Sequence, residues 1–270
     1  MTKKFIAGGC SFTMGNELSD DVNGKIPSQK AWGKLLHTSL NDDSEYLCVA
    51  SGGLGNCAIA RRVFKAISEN HVRGVVVMWT FLSRYDWAMR RHNSLEDSRW
   101  AALSPWDTEI EQGRVFERLS SSPEQMRIWN ERMEIARQNG TSQFAEAIYK
   151  FGANMYHEAY LSWKSIIWLQ NLLEKKKIPY MFTLADNSLF YDYQAHLEGL
   201  DGLLGALYKE IDKTKWFTFG ERMMGFNQWA TLNNYEYATT HPLDNAHVDA
   251  VKLMLPTFNK AIGEINDKVV

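Results

Sequence analysis

Residues 74–79 read Gly74-Val75-Val76-Val77-Met78-Trp79. An unbroken apolar run with β-branched residues at its centre is the pattern of a strand covered on both faces. Upstream, residues 3–8 (KKFIAG) and 46–50 (YLCVA) are two further short apolar runs. Between the first two runs, Trp32, Leu35, Leu36 and Leu40 recur at helical spacing. Between the second and third, a glycine turn at residues 51–56 opens onto a helix-like stretch at 58–67. The first 80 residues therefore read β-α-β-α-β, which implies a parallel sheet with right-handed crossovers.

Downstream, residues 81–140 break this rhythm. They are polar and charged, carry Trp87, Trp100, Trp106 and Trp129, and contain Pro105 and Pro123. We read them as an insertion of loops with a helix near 123–138. A long helical stretch follows at 141–177 and ends in three lysines, which suit a helix C-terminus. Residues 178–184 (IPYMFTL) predict a fourth strand, 196–212 a helix, 216–219 a fifth strand and 247–265 a closing helix with Pro256 inside it.

Composition bounds the function classes. The chain has 270 residues, 45% hydrophobic and 23% charged, which suffices for a sizeable core. Thirty basic against thirty-two acidic residues give a net charge of −2. That balance offers no electrostatic footprint for nucleic acid or for an anionic membrane. The three cysteines, Cys10, Cys48 and Cys57, fit neither a zinc pattern nor a disulfide framework. No run resembles a signal peptide or a membrane span, so a cytoplasmic location is expected. Aromatic residues reach 13%, read either as core packing or as a cleft that stacks on flat ligands.

Ligands of open parallel sheets bind beyond the C-terminal strand ends. Segments 9–15, 51–56, 80–86 and 184–187 should share that rim. Ser11 stands directly after the first strand between Gly8-Gly9 and Gly15, either a nucleophile awaiting a base or a turn residue. Alternation turns Cys10 toward the core. Gly53-Leu54-Gly55-Asn56-Cys57-Ala58 fits a G-x-G-x-x-A dinucleotide turn, but the expected acid about 20 residues on is missing. Its other functional reading is a donor turn, with the Gly55 and Asn56 amides aimed at an oxyanion. His241-Pro242-Leu243-Asp244-Asn245-Ala246-His247 gathers two histidines and an acid before the last helix.

Together these segments resemble the SGNH (GDSL-like) hydrolase family, of the kind common in bacteria and their phages. Gly9-Cys10-Ser11-Phe12-Thr13 is similar to its nucleophile motif, Gly55 to its oxyanion glycine, and His241-Pro242 with His247 to its closing motif. The resemblance covers about 1–80 and 178–265 and leaves out 88–165. It implies an α/β fold: a flavodoxin-like three-layer α/β/α sandwich with a five-stranded parallel sheet. The whole chain is then one domain with a helical, aromatic insertion at about 88–165. A phage origin would add virion association to the expected locations.

Two departures stand out. Where the family carries an oxyanion Asn, this chain has Trp79-Thr80-Phe81-Leu82-Ser83-Arg84, with Thr80, Ser83, Arg84 or Asn56 as candidate substitutes. Three residues before His241 stands Ala238, not Asp. Either His241 is the base, with its acid missing or supplied by Glu236 or Asp244, or Asp244 and His247 form the pair; the HP spacing favours His241. The implied reaction is ester hydrolysis. Ser11 would be the nucleophile, the Ser11 and Gly55 amides with Asn56 the oxyanion donors, and Thr80 and Arg84 substrate contacts. No metal or organic cofactor is required. The Trp and Tyr content of the insertion favours a carbohydrate O-acetyl ester over a lipid. The alternative is a hydrolase-like module that has lost turnover and binds a glycan or protein partner.

Overall fold

The computed structural model describes residues 2–89, 100–108, 123–190 and 202–263. Its first half runs β1 (Lys4–Gly8), α1 (Ser11–Met14), α2 (Trp32–Leu40), β2 (Glu45–Cys48), α3 (Asn56–Glu69) and β3 (Val72–Trp79). A hairpin of β4 (Tyr85–Ala88) and β5 (Trp100–Leu103) follows, then α4 (Pro123–Gln138), α5 (Thr141–Phe151) and α6 (Met155–Lys175). The chain closes with β6 (Tyr180–Leu184), α7 (Leu203–Glu210), α8 (Phe226–Leu232) and α9 (Asp244–Gly263).

The main sheet is parallel with strand order β2-β1-β3-β6. Alternation along the strands sorts their side chains between two cores. Ile6, Val75, Val77 and Trp79 face α3 and α6, meeting Ile59, Val63, Trp163 and Ile166. Phe5, Ala7, Val76 and Met78 face α2 and α9, meeting Trp32, Leu36, Met254 and Phe258. Helices on both faces of one sheet make the fold a three-layer α/β/α sandwich. Strand order reverses between β1 and β3, because β2 lies to one side of β1 and β3 to the other. A crevice opens at such a reversal, outside the carboxyl ends of the strands. Ser11 follows β1 directly and stands at its mouth.

Among the described residues the sheet has four strands, not the expected five. Residues 216–219 contribute one parallel bridge, Trp216 to Phe182, with the Phe217 N–H donating to the Phe182 carbonyl at 2.8 Å. A 3-10 turn at Lys213–Lys215 precedes it, and the Phe219 N–H turns away to the Met224 carbonyl, so no ladder extends. The stretch 141–177 is two helices, α5 and α6. They are separated at Gly152, with Asn154 capping α6 by accepting from the His157 N–H at 2.9 Å. Residues 196–201 of the expected helix at 196–212, 264–265 of the closing helix, and 90–99 and 109–122 of the insertion lie outside the described residues.

The hairpin and α5 pack together around Tyr85, Leu103 and Ala145. The Tyr149 hydroxyl binds this unit to the rim, donating to the Ser83 carbonyl at 2.6 Å and lying 3.1 Å from that of Leu103. No described helix is long and apolar enough to cross a membrane.

Candidate active site

Glycine sets the geometry of the first rim segment. A Cβ on Gly9 would sit 2.0 Å from Thr13 Oγ1 and 3.2 Å from the Met78 carbonyl. Only a bare backbone passes there, and it delivers the chain into α1 with Cys10 as the N-cap residue. Cys10 turns into the core, fully buried, and Ser11 becomes the first residue of the helix. Gly15 ends α1 in the left-handed region (φ 81°), and its N–H donates to the Ser11 carbonyl at 2.9 Å. A loop at 16–30 follows, tied back on itself by Asp20 and Asp21. Asp20 accepts from the Gln29 N–H, and Asp21 accepts from the Glu17 and Gly24 N–H groups, each at 2.8 Å.

That loop carries an acid the sequence reading missed. Glu17 adopts φ 67°, a left-handed conformation that L side chains visit at a cost of order 1–3 kcal/mol. The Asp21 carboxylate holds its N–H, and its own carboxylate is aimed at the segment before α9. Glu17 Oε2 accepts from His241 Nδ1 at 2.9 Å, the Thr240 N–H at 2.9 Å and the His241 N–H at 3.0 Å. A carboxylate can only accept, so this contact puts a proton on Nδ1 and leaves the Nε2 lone pair free. Nε2 faces Ser11 Oγ at 2.7 Å. Phe12 packs edge-on against the imidazole, 4.7 Å between centroids, which fixes its plane. Burial by itself would raise the Glu17 carboxyl. The hydrogen bonds from His241 and Thr240 and the positive charge His241 can carry outweigh it and hold the group at about 2.

His241 itself is presented by a tight loop. Tyr237 and Pro242 form an antiparallel bridge, the Ala238 N–H donates to the His241 carbonyl, and the Leu243 N–H to that of Glu236. The Glu236 side chain is exposed, and the carboxylate bonded to His241 Nδ1 is that of Glu17. Asp244 is engaged elsewhere. It accepts from the Ser19 N–H at 3.0 Å and Ser19 Oγ at 2.6 Å, and pairs with Lys30 at 2.7 Å. Burial opposes its ionisation, but Lys30 and Ser19 prevail and hold it near 2. Asp244 thus clips the 16–30 loop to the start of α9. His247 does not pair with it. The ring is 1% exposed, its Nδ1 accepts from the Trp32 N–H at 3.1 Å, and it packs edge-on against Phe226. Burial, reinforced by nearby His241, depresses His247 to about 3, so it stays neutral.

The expected donor turn is also redistributed. Asn56 is 1% exposed, and its amide is spent on framework bonds. Oδ1 accepts from the Thr80 N–H at 2.8 Å, and Nδ2 donates to the Thr80 carbonyl and Ser162 Oγ, both at 3.1 Å. Gly55 caps α3 where the Arg84 backbone passes; a Cβ there would lie 2.5 Å from the Arg84 carbonyl oxygen. Neither residue lines the cavity beside Ser11; Gly52 and Gly53 do. Thr80 is fully buried outside that wall, with its hydroxyl donating to Cys10 Sγ at 3.3 Å. Ser83 and Arg84 do reach it.

The cavity measures about 580 Å³ and holds Ser11 and His241 in its wall. Phe81, Trp106 and Tyr237 supply aromatic faces, and Asn227, Thr231 and Thr239 polar ones. Among the described residues, no group of three or more His, Cys, Asp or Glu side chains could hold a metal ion.

No family model and no curated protein matches the chain. Among solved structures, it is similar to AlinE4, an SGNH-hydrolase family esterase, at 11% identity and a TM-score of 0.39. Two variants of esterase AlinE4 match at 12% and 11% identity, with TM-scores of 0.39 and 0.40. Each comparison covers 97% of both chains.

Proposed function

We propose that this chain is a serine esterase of the SGNH (GDSL-like) kind, with Ser11 as nucleophile, His241 as general base and Glu17 as the acid that orients it. One observation carries the reading. Ser11 Oγ, His241 Nε2, His241 Nδ1 and Glu17 Oε2 form a continuous relay at 2.7 and 2.9 Å, opening on a cavity large enough for a small ester.

The residue roles follow from the geometry. Ser11 Oγ attacks the ester carbonyl carbon while its proton passes to His241 Nε2. Glu17 remains ionised, holds the Nδ1 proton and stabilises the imidazolium. The carbonyl electron pair moves onto oxygen, for which the Ser11 N–H and the Gly52–Gly53 turn, both in the cavity wall, are the candidate backbone donors. Collapse of this intermediate expels the alcohol, which takes the proton from Nε2. Water, deprotonated by the same nitrogen, then attacks the acyl carbon; the C–Oγ bond breaks, the acid leaves, and Ser11 Oγ takes the proton back from Nε2. The mixed aromatic and polar wall favours a carbohydrate ester over a long acyl chain.

Fluorophosphonate labelling with peptide mapping tests the reading. Label is expected on Ser11, lost in Ser11→Ala and strongly slowed in His241→Ala. Folded protein that takes no label would overturn the esterase and leave a binding module.

A further inference from the structure

We infer that Arg84 selects substrates carrying a carboxylate, which it holds side-on through the edge of its guanidinium that the protein leaves open. This inference rests on the esterase reading for its reaction and on the cavity alone for its binding.

Arg84 is half-buried in the cavity wall, with its guanidinium 4.7 Å from the centroid of the Phe81 ring. Nη1 is fixed, donating to the Leu54 carbonyl at 3.3 Å and to Thr80 Oγ1 at 3.2 Å. Nε and Nη2 have no hydrogen-bond partner among the described residues, and no described carboxylate pairs with the group. Among the described residues that line the cavity, Arg84 alone bears a permanent charge. Stacking on one face and two bonds at one nitrogen orient the fork before any ligand arrives. The remaining Nε and Nη2 hydrogens run parallel, the arrangement that matches both oxygens of a carboxylate. A partly desolvated cation with no internal counter-ion gains most from an anion supplied by the ligand. Asn227, Thr231 and Thr239 in the same wall can meet hydroxyl groups. The substrate class is therefore an ester of a polar, carboxylate-bearing molecule such as an acidic sugar.

Methyl glucuronoside and methyl glucoside differ by that one carboxylate, and neither can be hydrolysed as an ester. Calorimetric titration of the wild-type protein is expected to give the glucuronoside at least about tenfold the affinity at low salt, with the preference shrinking as salt rises. Arg84→Gln should bring the ratio close to one, and Arg84→Lys, which keeps charge but loses the fork, should leave an intermediate ratio. A wild-type ratio near one, or a preference that persists in Arg84→Gln, would overturn the inference. In parallel, kcat/KM for the mono-acetylated forms of the two sugars should show the same order, with the difference in KM. A binding preference without hydrolysis of either ester would keep Arg84's role and reject the esterase. Hydrolysis of both esters with an Arg84→Gln loss of kcat common to both would instead assign Arg84 to the reacting carbonyl.

Discussion

Glu17 and His241 lie 224 positions apart in the chain and meet at 2.9 Å, Oε2 to Nδ1. The carboxylate comes from the loop that follows Ser11, not from the segment that carries His241. Replacing Glu17 by Gln keeps the size but presents an amide to Nδ1, which frustrates the tautomer that leaves Nε2 free. By analogy with triads of this logic, kcat/KM for 4-nitrophenyl acetate should fall by about 10²–10⁴. Asp244→Asn loses only the half-exposed Lys30 pair and the Ser19 bonds, and should cost a few-fold at most. Equal losses in the two variants would return Asp244 to the candidate acids.

The same carboxyl makes stability depend on acid. Glu17 lies at about 2 in the folded chain, against an ordinary 4.5. Its folded value is depressed, so its contribution is complete above the unfolded value and is lost as pH falls from about 4.5 toward 2. His247 acts in a separate window. Its folded value is about 3 against 6.5, so between those limits the unfolded chain binds a proton that the folded chain refuses. At pH 5 that proton costs about 2 kcal/mol relative to neutral pH. Urea unfolding at pH 7 and pH 5 should show a loss of this order, and His247→Gln should flatten the difference. A wild-type stability unchanged between the two pH values would contradict a buried neutral His247.

Gly9 tests the approach of the chain to Ser11. In Gly9→Ala the new methyl would stand 2.0 Å from Thr13 Oγ1 and 2.6 Å from its Cβ. α1 must shift to admit it, at about 1–3 kcal/mol by the usual cost of overpacking. The expected outcome is a lower melting temperature and slower labelling of Ser11 than in wild type. Unchanged labelling would mean that the position of Ser11 does not depend on this contact.

How much was legible beforehand follows from the kind of signal each residue leaves. β1, β3 and β6 announce themselves as apolar runs because both of their faces are covered, and strand ends locate the rim. Ser11 could be found because its short motif sits next to such an end, and His241 because its motif stands just before the closing helix. Residues 216–219 carry the same apolar character as a strand, yet Phe219 bonds to Met224 instead of extending the ladder, and side-chain pattern does not encode that choice. Glu17 leaves no periodic signal. Its role depends on a left-handed backbone and on the Asp21 brace, both properties of the folded loop. The nearby Asp244 and His247 spell a literal D-x-x-H, but the HP spacing favours His241, and burial of the His247 ring against Trp32 and Phe226 removes it from the cavity.

Asn56 separates a framework residue from an oxyanion donor. Its amide links the start of α3 to the end of β3 through Thr80 and to α6 through Ser162. Asn56→Ala leaves the Thr80 N–H and carbonyl without their partner in a buried setting, where each unsatisfied group costs about 1–3 kcal/mol. The main effect should therefore be on stability: a loss of roughly 2–4 kcal/mol, read by chemical denaturation. Turnover per folded molecule should fall far less than the 10²–10³ typical when an oxyanion donor is removed. Active-site titration with a fluorophosphonate supplies the folded fraction and makes the two effects separable. A stable Asn56→Ala protein with kcat reduced a hundredfold would restore Asn56 to the reacting carbonyl. A destabilised protein with near-normal turnover would leave that charge to the Ser11 amide and the Gly52–Gly53 turn.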